Sequence, residues 1–71
     1  METITGTVKY ENLEGGVWRI FADDGRRLTL QDLAEEFLQD GLRVRLEGSE
    51  EAAFGFAMMG NTFVVKKAEK I

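Results

Sequence analysis

Three side chains in one short stretch are of the types found in nucleic-acid-binding sites. Arg19, Phe21 and Arg27 alternate with apolar residues, so a pair of β-strands would place all three on one side of a sheet. An aromatic ring can stack on a base and a guanidinium attracts phosphate, and single-strand binding sites combine both groups. We therefore take this side of the sheet as a candidate binding face. The full candidate set is Lys9, Arg19, Phe21, Arg27 and Thr29, with Arg43 and Arg45 adjoining on a fourth strand.

The charge of the chain argues against nucleic acid as the ligand. Thirteen acidic and nine basic residues give a net charge of −4, and binding to a phosphate backbone is mostly electrostatic. Five glutamates also fall in the segments expected to flank the face, where they would repel phosphate. They are Glu11, Glu14, Glu47, Glu50 and Glu51. A protein or peptide partner is the favoured expectation, and single-stranded nucleic acid is the alternative.

Carboxylates elsewhere in the chain could bind a cation or act as an acid/base pair. Asp23 and Asp24 are adjacent, Glu35 and Glu36 are adjacent, and Asp40 stands alone. Calcium needs about 6–8 oxygen ligands in a suitable loop, and two-carboxylate glycoside hydrolysis needs a cleft that so short a chain can hardly build. The chain has no histidine and no cysteine, which removes the commonest general base, thiol nucleophile and metal ligands. We expect no enzyme activity, no metal site and no cofactor.

Two apolar features could form either core or contact surface. Trp18 is the only tryptophan, and on the inner side of a small barrel it is expected to be the largest core residue. Residues 54–59 are rich in phenylalanine and methionine, and a run apolar on both sides of a strand cannot all point inward. An exposed part would favour a homodimer or a docked partner. The lysines near the C-terminus, at 66, 67 and 70, indicate a solubilising fringe.

Alternation of apolar and polar residues predicts the strands that must position these side chains. Residues 3–11 predict a first strand, with Gly6 at a bend or bulge. Residues 17–22 and 26–30 predict a hairpin, because the Asp-Asp-Gly step between them is a turn signal. The side chains expected to point inward are those of Ile4, Val8, Tyr10, Trp18, Ile20, Ala22, Leu28 and Leu30.

After the third strand the pattern changes to that of a short helix. Asp32 and Glu35 have the spacing of a capping box, and Leu33 and Phe37 form an apolar side. Gly41 is typical of the residue that ends a helix. Two turns of helix have little stability of their own, so this segment must depend on its contacts with the sheet.

The rest of the chain predicts the strands that close the sheet. Residues 42–47 alternate without interruption as a fourth strand, and residues 48–51 are expected to break it. One bent strand or a strand pair follows over residues 53–59 and 62–67. This order is the layout of the oligonucleotide/oligosaccharide-binding (OB) barrel; an SH3-like barrel is the runner-up, but it lacks a helix here. We predict a mainly β, five- to six-stranded OB-like barrel with one short α-helix between strands 3 and 4, as a single domain over residues 1–71.

The chain also resembles a group of short bacterial and archaeal OB-like domains of uncharacterised function. The resemblance extends over nearly the whole chain and supports the fold, but it implies no particular activity. Two departures are Ala34, where such domains often have proline, and Met59-Gly60-Asn61, where they often have tryptophan-glycine-threonine. The residues that carry the resemblance are Gly6-Thr7-Val8, Gly15-Gly16-Val17-Trp18-Arg19-Ile20, Asp23-Asp24-Gly25-Arg26, Leu33-Ala34-Glu35-Glu36-Phe37 and Asp40-Gly41-Leu42-Arg43-Val44-Arg45.

The sequence favours a soluble protein. Its longest uninterrupted apolar run, residues 56–59, is far shorter than the ~18 residues that a membrane-spanning helix needs. Met1 is followed by Glu2-Thr3-Ile4 rather than by a basic and then apolar leader. We expect a cytoplasmic protein with no membrane partner, unless a leader has been removed.

Overall fold

Five β-strands close into a small barrel. The computed structural model describes residues 1–12, 15–52 and 61–71. Its strands are β1 (Glu2–Glu11), β2 (Val17–Ala22), β3 (Arg27–Gln31), β4 (Arg43–Glu51) and β5 (Thr62–Lys70). The strand order is β1-β2-β3-β5-β4, and β4 pairs back onto β1. Neighbouring strands are antiparallel except for the parallel pair β3 and β5. The predicted mainly β barrel is confirmed; a sixth strand over residues 53–59 would lie outside the described residues.

Strand β1 pairs with two strands, and Gly6 lies where the two pairings overlap. Residues 6–11 pair with β2 and residues 2–7 pair with β4, so Gly6 is opposite both Ala22 and Val44. The pairing continues through Gly6 without a shift in register, so the predicted bulge is wrong. A Cβ atom at Gly6 would lie 2.4 Å from the carbonyl oxygen of Phe21. Glycine is needed because the backbone of β2 approaches β1 closely.

Inward-pointing side chains from all five strands form the core. It consists of Ile4, Val8, Ile20, Leu28, Val44, Leu46, Phe63 and Val65. Trp18 and Leu30 are half-buried and pack against it. Tyr10 is 46% exposed, so its predicted place in the core is wrong. It lies beyond the last core layer, where its ring meets Trp18 edge-on with 5.0 Å between ring centroids.

The segment between β3 and β4 is a single 3₁₀ turn, Glu35–Phe37, and not the predicted α-helix. Asp32 has a φ of +65°, which places it outside a helix start. Ala34 occupies the N-cap position and no side chain caps the turn, so the predicted capping box is wrong. Leu33 and Phe37 still pack against the core. Contact with the barrel, rather than helix formation, fixes this short segment.

The turn between β2 and β3 has the predicted chemistry. The backbone N–H of Ala22 donates to the carbonyl oxygen of Arg26, and the N–H of Gly25 donates to that of Ala22. Gly25 has a φ of +99°, as a three-residue hairpin loop requires at its last position. Asp24 accepts a bond from the N–H of Arg26 through its side chain. The hairpin loop is therefore specified by its own residues.

Strand β4 does not break where the sequence predicts. It runs through residues 48–51, and its register with β5 shifts once, between Glu47 and Gly48. A Cβ atom at Gly48 would lie 2.0 Å from the carbonyl oxygen of Val64. Glycine here permits close pairing instead of ending the strand. Within the described part of the chain, no helix is long and apolar enough to cross a membrane.

Candidate binding face on strands β1 to β3

The strand register brings five of the seven predicted site residues onto one outer surface. Lys9, Arg19 and Thr29 are opposite one another across β1, β2 and β3. The next outward-pointing row contains Thr7, Phe21 and Arg27. We call these six residues the β1–β3 face. Side chains alternate between the two sides of a strand, and for this reason residues distant in sequence share this surface.

Phe21 and Arg27 form the centre of the face. The Cζ atom of the Arg27 guanidinium lies 4.5 Å from the centroid of the Phe21 ring. This is a cation–π contact, worth about 0.5–1 kcal/mol at an exposed site. Arg27 is exposed and Phe21 is half-buried. No carboxylate pairs with Arg27 among the described residues, so its N–H groups can bind a ligand.

Arg19 is the largely buried cation of the face, and its side chain connects neighbouring strands. Its Nη1 donates to Oε1 of Glu11 at 2.9 Å, and its Nη2 donates to the carbonyl oxygen of Arg27 at 3.0 Å. Only 12% of its side chain is exposed. The carboxylate of Glu11 therefore offsets the charge of Arg19, and the second bond attaches this guanidinium to β3. The side chain of Arg19 is therefore held along the surface of the sheet and extends little into solvent.

Lys9 and Thr29 stand on either side of Arg19. Both are half-buried, and within residues 1–12, 15–52 and 61–71 Lys9 has no ion pair. The hydroxyl of Thr29 is buried and meets no hydrogen-bond partner in the same ranges. The backbone N–H of Thr29 donates to the carbonyl oxygen of Asn61, at the start of β5. This edge of the face is thus joined to the strand that closes the barrel.

Arg43 borders the face and Arg45 lies away from it. Arg43 is opposite Thr7, donates to its hydroxyl at 3.2 Å, and binds both carboxylate oxygens of Asp23 at 2.7 and 2.8 Å. This hydrogen bonding lowers the pKa of Asp23. Arg45 instead pairs with Glu69 of β5. It lines a separate shallow depression of about 300 Å³ with Thr3, Glu47, Lys67, Ala68 and Glu69.

The predicted ring of repelling glutamates is only partly present. Glu11 lies beside the face but pairs with Arg19. Glu47 lines the depression beside Arg45, and Glu50 binds Arg26. Glu14 lies outside the described residues. The face and its border carry four cations, on Lys9, Arg19, Arg27 and Arg43, against the carboxylates of Glu11 and Asp23. This surface is therefore positive in a chain of net charge −4.

Arg26 forms a second arginine site, which the sequence did not predict. Arg26 donates from Nη2 to Glu2 at 2.7 Å, from Nε to Asp24 at 2.8 Å and from Nη1 to Glu50 at 2.8 Å. Glu50 also accepts a bond from the side-chain amide of Asn61 at 2.7 Å. We call these five residues the Arg26 cluster. It connects the start of β1, the β2–β3 turn and the end of β4 to one guanidinium, and Glu50 extends the connection to Asn61 just before β5.

Hydrogen bonding lowers the pKa of two carboxyl groups in the Arg26 cluster. Bonds from the Arg26 side chain and backbone lower the pKa of Asp24. Bonds from Asn61 and from Arg26 lower the pKa of Glu50. Only the Asp24-Gly25-Arg26 step was visible as a local signal, because the other partners come from distant strands. Among the described residues, no group of acidic side chains has the arrangement of a metal site.

The fold and this surface define the class of the protein as a small closed β-barrel with a positive, aromatic-containing face. Comparison of the chain with protein-family models, curated proteins and solved structures gives no match.

Proposed function

We propose that the protein is a non-enzymatic binding module of OB type, whose β1–β3 face contacts a protein or peptide partner. The strand order, the parallel β3–β5 pair and a first strand shared by two neighbours support the OB assignment. In OB barrels, ligands cross strands 2 and 3. The proposed face lies on those strands, together with the adjoining part of β1.

The contact between Arg27 and Phe21 is the observation on which the proposal depends. Arg19, Arg26, Arg43 and Arg45 all pair with carboxylates. Arg27 lies over an aromatic ring and has its hydrogen-bonding groups available. A side chain that only served the fold would gain from a carboxylate partner, as the other four do. Arginine and aromatic residues are also enriched where proteins bind partners.

Single-stranded nucleic acid is the second candidate ligand. The same pairing of Phe21 with Arg27, beside Lys9, is the combination that stacks bases and attracts phosphates. The net charge of −4 and the carboxylates of Glu11 and Asp23 beside the face favour a protein or peptide. Assembly through residues 54–59 stays a prediction, because these residues lie outside the described part of the chain. The cytoplasmic location also stays a prediction.

A capture experiment with two charge-matched variants tests the proposed function. The face variant is Lys9→Gln/Arg27→Gln, and the control is Lys66→Gln/Lys70→Gln, which removes the same charge from exposed residues of β5. Each protein is immobilised and incubated with a cell lysate, and the proteins captured from the lysate are quantified by mass spectrometry. We expect one set of proteins to bind the wild type and the control but not the face variant. Equal capture by all three proteins would exclude this face as the binding surface.

A further inference from the structure

We infer that the β1–β3 face takes an extended acidic peptide whose two carboxylates bind Lys9 and Arg27. This inference rests on the proposed function and gives the chemical class of the partner. Two observations carry it: which cations of the face are already neutralised, and how far apart the others lie.

Only two cations of the face are without an ion pair among the described residues. Arg19 binds Glu11, and Arg43 at the border binds Asp23. Lys9 and Arg27 have no such partner. The face can therefore neutralise two incoming negative charges without breaking an existing ion pair. A ligand with more charges would meet the carboxylates of Glu11 and Asp23.

The Cα positions of Lys9 and Arg27 match the repeat of an extended peptide. Lys9 is opposite Arg19 on β2, and Arg27 is opposite Phe21, two residues further along β2. Neighbouring strands lie about 4.8 Å apart and two residues span about 6.8 Å, so the Cα atoms of Lys9 and Arg27 lie about 12 Å apart. In an extended peptide, residues four apart point to the same side at about 13 Å. Acidic residues at positions i and i+4 would thus meet both cations.

The surface between Lys9 and Arg27 determines which peptide residue fits between the two acidic positions. Position i+2 of such a peptide points to the same side and would lie over β2, between Arg19 and Phe21. The aliphatic stems of Lys9 and Arg27, and the Phe21 ring beside the Arg27 guanidinium, offer apolar surface there, so an apolar residue fits. The inferred partner sequence is acid-any-apolar-any-acid. The peptide would bind through side chains, because the closed barrel pairs every strand on both sides.

The number of available cations on the face favours a peptide over a nucleic acid as the ligand. A nucleic-acid strand carries a charge at every nucleotide, and its affinity increases with the number of phosphates that cations neutralise. Two available cations flanked by two carboxylates suit a ligand with two charges and neutral residues around them. A short peptide can have this composition, whereas a phosphodiester strand cannot.

Fluorescence anisotropy with labelled probes tests the inference on the wild-type protein. The test peptide is Gly-Glu-Ser-Leu-Ser-Glu-Gly. One control replaces both glutamates by glutamine, and a second has the same composition with the glutamates adjacent. A ten-nucleotide oligothymidylate is the nucleic-acid probe. We expect the test peptide to bind, the glutamine peptide to bind roughly tenfold or more weakly, and the adjacent-glutamate peptide to bind with intermediate affinity.

The charge-matched variants locate the bound peptide. Lys9→Gln/Arg27→Gln should weaken binding of the test peptide by roughly tenfold or more, and Lys66→Gln/Lys70→Gln should leave it unchanged. Thermal melting confirms that both variants fold, and the comparison of peptides on the wild type does not depend on either of them.

Three results would overturn the inference. The first is equal binding of the glutamate and glutamine peptides, and the second is no binding of the test peptide at millimolar concentration. The third is tighter binding of oligothymidylate than of peptide at the same salt concentration. If Lys9→Gln/Arg27→Gln abolished that oligothymidylate binding, the face would still be a binding surface, but for nucleic acid. The proposed function fails separately, through equal capture by the wild type and both variants.

Discussion

Arg26 and Arg27 are adjacent in the chain but have opposite surroundings. Arg26 is bound by three carboxylates from three parts of the barrel. Arg27 lies over the ring of Phe21 and has no carboxylate partner among the described residues. Arg26 ends the β2–β3 turn and Arg27 begins β3, so their side chains meet different neighbours. Residue type and position in the chain therefore do not distinguish an arginine that holds the fold from one available to a ligand.

The two regions also differ in what their charges achieve. In the Arg26 cluster, bonds to one guanidinium connect β1, the β2–β3 turn and β4, and Glu50 extends the connection to Asn61 at the start of β5. On the β1–β3 face, the ion pair that fixes Arg19 is the only one among the described residues. The first region connects strands of the closed barrel, whereas the second leaves two cations available for the partner that we propose. Four measurements test this difference between the two regions.

The largest effect is expected from Gly6→Ala, which disturbs the register on which both regions depend. The new Cβ atom would lie 2.4 Å from the Phe21 carbonyl oxygen, and the backbone of β2 would have to move. We expect the free energy of unfolding to fall by about 3 kcal/mol or more, measured by urea denaturation. Thr5→Ala, on the outer side of the same strand, is the control and should cost much less. A Gly6→Ala protein as stable as the control would contradict the close approach.

Next in size is the difference between Arg26→Gln and Arg27→Gln. Removing Arg26 leaves Glu2, Asp24 and Glu50 facing one another without their common cation, so the melting temperature should fall clearly. Removing Arg27 loses only a cation–π contact and should cost less than about 1 kcal/mol. Both variants lose one positive charge, so each serves as the other's control in thermal melting. Equal melting temperatures would show that the Arg26 cluster does not stabilise the barrel.

The third prediction concerns the free energy of unfolding at acidic pH. The pKa values of Asp24 and Glu50 are lowered in the folded protein, so these groups stabilise the fold fully above the ordinary carboxyl pKa of about 4. Their contribution is lost as the pH falls through the lower folded values. The free energy of unfolding, from urea denaturation between about pH 7 and pH 2, should therefore decrease below about pH 4.

Two variants assign this acid sensitivity to the Arg26 cluster. Arg26→Gln should flatten the decrease, because Asp24 and Glu50 lose the guanidinium, which is one of the groups that lower their pKa values. Some decrease should remain, since Asn61 still lowers the pKa of Glu50 and Arg43 lowers that of Asp23. Arg27→Gln should follow the wild-type curve. An unchanged slope in Arg26→Gln would mean that other carboxylates control acid unfolding.

The smallest effect on stability is expected from Phe21→Leu. This change keeps an apolar side chain on the outer surface and removes the ring under Arg27, at a cost of less than about 1 kcal/mol. The affinity for the Gly-Glu-Ser-Leu-Ser-Glu-Gly peptide should nevertheless fall several-fold, because Arg27 loses the surface that orients it. Urea denaturation and anisotropy on the same sample separate these quantities. A stability loss without an affinity loss would make Phe21 a purely structural residue.

Much of the fold was predictable from local patterns. Alternation predicted β2 exactly and β1 and β3 to within one residue at each end. The hairpin turn was predictable because Gly25 supplies the positive φ that its loop requires. The helix was wrong, because a capping-box spacing cannot create a helix in a segment held by contacts with the barrel. The break at Gly48 was also wrong, because glycine there allows a close pairing partner that only the folded barrel brings near.

The candidate site was predictable to a smaller extent. Period-two alternation sufficed to place Lys9, Arg19, Phe21, Arg27 and Thr29 on one side of the sheet. Arg45 adjoins on β4 opposite Thr5, but it pairs with Glu69 and lines the separate depression. Its neighbours depend on the pairing of β4 with β1 and β5, which no local pattern encodes.

Local patterns of residues were enough to predict the alternation, the turn chemistry and, for most residues, the side of the strand on which each lies. These features follow from the geometry of single strands and from the residues that loops require. Which cations have partners depends instead on how the barrel closes. Glu2 and Glu50 reach Arg26, and Glu69 reaches Arg45, across 24 positions of the chain in each case, because closure of the barrel brings their strands together. Charge pairing depends on distance in space, and that distance is set by the barrel rather than by the order of residues.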